Sequence, residues 1–280
     1  MAEKIPAAMT AATVKAPGED IHVGPEPVPQ PHPHEVLVRF EASEVNFVDV
    51  FVRSGAFKTS TPRPFTIGRD IVGVVVEVGD LVTGFRRGQR VWSNSLGYDG
   101  RQGTFSEYVV VEATRLYHLP ESVNPHDAAI VLHGGGTAHM GLVRSGKLKP
   151  GETVVIAGAG GAVGSAAVQL ASAMGARVLA IAGQHDFEWC RQSGAEAVFD
   201  YHSENRYEEI QQHIGPNCGV DIWWDTSGNL EPDQVLPLLT RGARVLVMAG
   251  LTDTTSFTRR GAVHKRRELG GVCDKQCNGC

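Results

Sequence analysis

Residues Thr153 to Gly183, TVVIAGAGGAVGSAAVQLASAMGARVLAIAG, decide the fold. The stretch opens with Val154-Val155-Ile156, short and β-branched enough for a buried parallel strand. Glycines follow at 158, 160, 161 and 164. Apolar residues then recur at helical spacing (Ala167, Leu170, Ala171, Met174) until Gly175, and a second apolar run, Val178 to Ile181, closes the unit. Strand, glycine turn, helix and strand in this order form the βαβ unit that binds dinucleotides. A pyrophosphate needs the unpaired N–H groups and the positive end of a helix N-terminus. Gly161 lets backbone approach it, Gly158 opens the turn, Ala162 and Val163 start the helix, and Gly164 lets the helix pack on its strand. Read strictly, the motif is A-x-G-x-x-G from Ala159. Glycines also serve ordinary turns; the flanking strand, helix and second strand favour nucleotide binding.

The 280 residues suffice for two domains. A net charge of −5 gives no reason to expect nucleic acid as a partner, and no apolar run reaches membrane-spanning length. The N-terminus carries acids and lacks a long apolar run, so neither a signal nor a transit peptide is indicated. Cys190 and Cys218 lie in the body, with Cys273, Cys277 and Cys280 at the end. That is no disulfide framework, and a reducing cytoplasm is the expected location.

Residues 1–124 read as an all-β domain, with strands at 36–40, 71–78, 88–92, 105–111 and 116–120 and a short helix over 43–53. Asn124-Pro125 reads as an N-cap followed by proline at the first helical position, and strand–helix alternation then occupies 125–257. Beyond the nucleotide unit, helices are expected near 185–193, 204–213 and 231–239, and strands at 197–199, 220–224 and 243–248. This alternation argues for a parallel sheet covered on both faces.

Several motifs in order, V-N-F-V-D (45–49), R-S-G (53–55), G-R-D-I-V-G-V-V (68–75), G-x-R-V (88–91), G-T-F-S-E-Y-V (103–109) and the A-x-G-x-x-G segment, resemble the medium-chain dehydrogenase/reductase superfamily. Within it they resemble the zinc-free quinone oxidoreductase (zeta-crystallin-like) group. The resemblance implies an α/β fold class: a GroES-like β-barrel domain plus a Rossmann doubly wound parallel sheet, C-terminally incomplete. It also implies homo-oligomers, with dimer contacts disrupted here by the departing tail.

Zinc-dependent relatives carry Cys where this chain has Asn46, and His-Glu where it has Arg69-Asp70. Catalytic zinc needs about three Cys, His or carboxylate ligands, so zinc is not expected. His133 and His139 read as structural or solvated. Without a Lewis acid, hydride must go to an acceptor that can hold the resulting charge, a small-molecule quinone or enone. Asn46 is the candidate polar group at nicotinamide and substrate, with helix capping as its alternative role. Asp49 and Arg53 read as a structural pair. Tyrosine hydroxyls that the group often places after that Asn are Phe51 and Phe57 here. Thr137 resembles the position whose hydroxyl holds the nicotinamide end.

An NAD enzyme wants a carboxylate at the end of the second strand. This chain has Ala182-Gly183-Gln184 there and no acid until Asp186, which favours NADPH over NADH. The group's usual lysine is replaced by Phe187, leaving Gln184, His185 and Tyr201 as phosphate contacts beside Gly183. The resemblance adds Ala249 and Gly250 after the 243–248 strand. Reduction of enoyl thioesters or haloacrylates on the same scaffold, and a non-catalytic nucleotide-binding or structural role, are the rival readings.

After Phe257 the chain departs from the family: TRRGAVHKRRELGGVCDKQCNGC (258–280) is basic, cysteine-rich and without strand or helix periodicity. Reverse-translated and read one base further along, it gives a peptide like the family's continuation. A frameshifted, spliced or misassembled tail is therefore expected, with a sheet stripped of its last strands, an exposed apolar edge, marginal stability and weak catalysis.

Overall fold

The computed structural model describes residues 4–248 and the backbone of 268–271. Ala249, Gly250 and the three terminal cysteines lie outside the described residues. The chain divides into two compact units, Met1–His133 and Gly134–Cys280.

The first unit is built on β3 (Glu35–Ala42), which pairs on both sides within a five-stranded antiparallel sheet. The sheet runs in the order β7 (Tyr108–Glu112), β3, β5 (Ile71–Val78), β6 (Arg90–Ser93), β8 (Tyr117–His118). Successive side chains of a strand point to opposite faces, and β3 is apolar on both. Val36 and Val38 join Ile71, Val75 and Val91 in one core, and Leu37 joins Met9, Ala11, Val76 and Tyr108 in another. A second antiparallel sheet, β2 (His22–Pro27), β1 (Ala8–Val14), β4 (Phe65–Thr66), completes the β structure. No strand was expected at 8–14 or 22–27. β1 is Ala/Thr-rich and β2 holds two prolines, so local propensity is weak and cross-strand pairing decides. The short helix is α1, Phe47–Ser54.

Helix α2 (Pro125–His139) begins where Asn124 accepts the His126 N–H on its side-chain oxygen (2.8 Å), the cap read from the sequence. The division between the units falls inside α2 rather than at 124. Its first turns (Ala128, Ala129, Leu132) pack with Ala42, Val72 and Leu119, whereas Ala138 enters the core of the second unit.

The second unit is a six-stranded parallel sheet in the order β11 (Ala197–Asp200), β10 (Arg177–Ala182), β9 (Thr153–Ala157), β12 (Val220–Asp225), β13 (Leu239–Val247), β14 (Glu268–Gly271). This is the 3-2-1-4-5-6 order of the doubly wound dinucleotide fold, which binds ligands beyond the strand ends where the order reverses, here between β9 and β12. Val154, Val155 and Ile156 are fully buried, each contributing roughly 1.5–3 kcal/mol of burial. Val154 and Ile156 face Ala167, Val168 and Ala171 of α3 (Ala162–Ala173). Val155 faces the side covered by Tyr207, Ile210 and Ile214 of α5 (Arg206–Ile214).

Two expectations are corrected. The helix near 231–239 is only α6 (Pro232–Val235) and one 3-10 turn, because β13 starts at Leu239, four residues early, and passes Gly242 at φ +83°. The tail, without periodicity of its own, still contributes a strand. β13 presents an open row of backbone donors and acceptors, a template that any extended segment can pair with. Glu268–Gly271 pairs there in parallel, Arg244 opposite Glu268 and Val247 opposite Gly271.

Candidate functional site

The turn between β9 and α3 is shaped by two glycines. Gly158 has φ +82°, a left-handed conformation that favours glycine. Gly164 lies so close to the turn that a Cβ there would run into the Gly158 carbonyl oxygen and, at 2.7 Å, the Ala159 Cα. Gly161 is the N-cap residue of α3, and a Cβ on it would meet only the Gly158 oxygen at 3.5 Å. The first intrahelical bond runs from Ser165 N to Gly161 O (2.8 Å), so the N–H groups of Ala162, Val163 and Gly164 have no carbonyl one turn behind them in the helix. Such a terminus, with no side chain over it, fits a dinucleotide pyrophosphate.

Beside this turn lies a cavity of about 600 Å³. Its lining includes Gly158, Gly161, Gly183, His185 and Tyr201 of the sequence-derived set. Gln184 is not in the lining; its amide donates to Asp200 Oδ2 (2.8 Å). Thr137 is on α2, one turn beyond Gly134, whose Cβ would sit 3.0 Å from the Ala162 oxygen, so α2 runs close to the start of α3.

Several other lining residues were not anticipated. Asp225 ends β12 and is 1% exposed; its Oδ1 accepts from Ser227 N (2.9 Å) and Ser227 Oγ (2.7 Å). Arg206 and Tyr207 of α5 and Glu231 before α6 also line the cavity. Asp186 also lines the cavity, its carboxylate 3.1 Å from His185 Nε2 and against the position a Gly160 Cβ would take. The polar run Asp225-Thr226-Ser227 directly after a buried strand was the available signal, since ligand groups collect at strand C-terminal ends.

In the first unit the sequence-derived Asn46 is the N-cap residue of α1, and its neighbours define a second cluster. Asn46 Nδ2 donates to Asp70 Oδ2 (2.6 Å); Asp70 is fully buried, and its Oδ1 lies 3.6 Å from His133 Nδ1. A carboxylate only accepts, so the amide nitrogen must face Asp70. His133, expected to be structural or solvated, thus joins the site. The expected Asp49–Arg53 pair does not form. Asp49 Oδ2 accepts the Asn46 N–H (2.7 Å), closing the first turn of α1, and Arg53 donates to the Glu19 carbonyl (3.4 Å). Arg69 lies buried with its guanidinium 4.0 Å from the Tyr98 ring centre. Around Asn46, Val45, Phe47, Val50 and Phe51 are exposed, Phe47 by 83%. Among the described residues, no group of three or more His, Cys, Asp or Glu side chains is placed to hold a metal ion.

Burial pushes the Asp49 carboxyl up to about 6; the Asn46 N–H opposes this and the Asp70 charge adds to it. Glu44 is raised for the same first reason, then by Asp70. The folded value of Asp49 lies above its unfolded value of about 4, so the native state holds this proton longer. Its contribution to stability is complete below about pH 4 and is lost as pH rises through 6. Asp49→Asn removes that titration. Urea unfolding is expected to show the variant gaining about 2 kcal/mol on the wild type between pH 4 and 7.5. An unchanged difference over that window would contradict the assignment.

The parallel sheet with a glycine turn at its switch point, preceded by a β domain, defines a nucleotide-dependent dehydrogenase. Residues 32–121 match the alcohol dehydrogenase GroES-like domain, and 162–273 match the zinc-binding dehydrogenase family. The second match continues past Phe257, through residues 258–273 of the tail expected to depart from the family. Human quinone oxidoreductase is 33% identical over 246 residues, covering 88% of this chain and 73% of that protein. The quinone oxidoreductase of Pseudomonas syringae pv. Tomato DC3000 has a similar structure, with TM-score 0.83, 26% identity, and 95% of this chain and 81% of that one covered. An alcohol dehydrogenase superfamily protein from Novosphingobium aromaticivorans gives TM-score 0.82 at 32% identity, covering 94% and 78%. The chain belongs to the medium-chain dehydrogenase/reductase superfamily, in its quinone oxidoreductase-like group, and is an oxidoreductase.

Proposed function

We propose that the protein reduces quinones or activated enones by hydride transfer from NADPH without a metal ion. The observation that carries this is the Asn46 cluster. An amide fixed by a fully buried carboxylate stands among exposed apolar side chains, which suits a flat, largely apolar acceptor with one polar edge. Bound NADPH supplies a hydride to an electrophilic atom of the acceptor, and a proton from water completes the reduction. Asn46 orients the acceptor's oxygen; Val45, Phe47, Val50 and Phe51 hold its ring. Donor chemistry supports the metal-free reading. The Asn46 amide is committed to Asp70, and Arg69, held on the Tyr98 ring, carries a guanidinium that cannot ligate zinc.

In the second unit Gly158, Gly161 and the α3 terminus bind the pyrophosphate, with Ala162, Val163 and Gly164 supplying backbone and close packing. NADPH over NADH is favoured by the absence of an acid at Gly183-Gln184-His185, and Tyr201 stands half-exposed at the rim. The Asp186 carboxylate lies 3.1 Å from His185 Nε2, within hydrogen-bonding reach of the ring. Among the described residues, Cys190 and Cys218 are free thiols. None of the described helices is long and apolar enough to cross a membrane.

The test is steady-state kinetics on chelator-dialysed protein. Quinone and enone reduction is expected at unchanged rate after metal removal, with kcat/KM at least about tenfold higher for NADPH than NADH. Activity restored only by added zinc, or oxidation of primary alcohols in place of enone reduction, would contradict the proposal.

A further inference from the structure

We infer that Arg206 is the cation that receives the coenzyme's 2′-phosphate, and that Glu231 competes for it, setting how strongly the pocket prefers the phosphorylated dinucleotide. The inference rests on the NADPH reading above and extends it to a residue pair. Among the described residues lining the cavity, Arg206 is the only lysine or arginine. The same lining holds three carboxylates, Asp186, Asp225 and Glu231, so a phosphate entering it meets net negative charge unless a guanidinium is released to it.

Location supports the assignment. Tyr201 N donates to Ala182 O (3.2 Å), so the chain leaving β11 runs beside the end of β10, where the adenosine ribose of this fold binds. Arg206 follows five residues later as the first residue of α5. Its Nη1 donates to the Ser203 carbonyl (3.1 Å) and its Nη2 to the Tyr207 hydroxyl (3.3 Å), and Nη2 is ion-paired with Glu231. With its side chain only 18% exposed, Arg206 acts where water screens weakly. Glu231, at 49%, is the more exposed partner and can turn to solvent when a doubly charged phosphate replaces it.

A purely structural ion pair would affect both coenzymes equally, and this separates the alternatives. NADPH and NADH are titrated against the purified 280-residue chain by fluorescence, for wild type, Arg206→Gln, Glu231→Gln and the double variant. The wild type is expected to prefer NADPH. Arg206→Gln should lower the ratio of NADPH to NADH affinity about tenfold or more with NADH nearly unchanged. Glu231→Gln should raise that ratio severalfold, and in the double variant its effect should vanish. Glu231→Gln retains an uncharged hydrogen-bonding partner, so it reports even if Arg206→Gln folds poorly. Wild-type preference persisting in Arg206→Gln, or equal effects on both coenzymes, would overturn this inference alone. A wild type without NADPH preference would overturn the coenzyme reading and this inference with it.

Discussion

Gly164→Ala is expected to cost about 3 kcal/mol of stability and to weaken coenzyme binding at least about 100-fold. The added methyl would have to occupy the space of the Gly158 carbonyl oxygen and press on the Ala159 Cα, both backbone atoms that cannot rotate away. Ala159 is itself fully buried, so the turn cannot retreat outward. Relief requires α3 to move off β9, which breaks the contacts of Ala167, Val168 and Ala171 with Val154 and Ile156 and displaces the helix terminus proposed to hold the pyrophosphate. Gly161→Ala is the control. Its methyl meets one atom at ordinary contact distance and otherwise points into open space. Stability is expected to change by less than about 1 kcal/mol while coenzyme binding still weakens, because the methyl stands where the phosphates approach. Urea unfolding and coenzyme titration on the two variants separate packing from binding. Equal losses of stability would contradict this division of roles.

Asn46→Ala is expected to lower kcat about 100-fold while coenzyme affinity changes less than about threefold, since the coenzyme residues lie in the second unit. The variant loses the amide that Asp70 holds in one orientation and leaves the buried Asp70 carboxylate without that donor. A stability cost of about 1–3 kcal/mol accompanies it. Asp70→Asn tests the orientation itself. An asparagine at 70 can offer either an acceptor oxygen or a donor nitrogen, so the Asn46 amide is free to turn. A kcat loss with nearly unchanged folding is expected, smaller than for Asn46→Ala. If Asn46→Ala melts at lower temperature but turns over at the wild-type rate, Asn46 serves only as the cap of α1.

The features legible in the sequence are those whose cause is local. The glycine turn and its flanking strands, and Asn124-Pro125 at the start of α2, each contain their own explanation within a few residues, and the structure reproduces them. The site walls were less legible because they join distant segments. Asp70 and His133 meet only once β5 and α2 are packed, and Arg206 and Glu231 meet only across the ends of β11 and β12. Gln184 shows the converse: the sequence placed it at the phosphate, but Asp200 on the neighbouring strand offers it a carboxylate. β14 was illegible because the open edge of β13, and not a pattern in Glu268–Gly271, supplies the pairing. β1 and β2 were missed for a similar reason.

The central claim is that this chain passes a hydride from NADPH to an activated acceptor without a metal. It is tested most directly with NADPH carrying deuterium at both C4 positions of the nicotinamide, chelator-treated protein and an α,β-unsaturated ketone. Deuterium is expected at the β-carbon of the saturated product and a solvent proton at the α-carbon. Product lacking deuterium, or no product although NADPH binds, would contradict it.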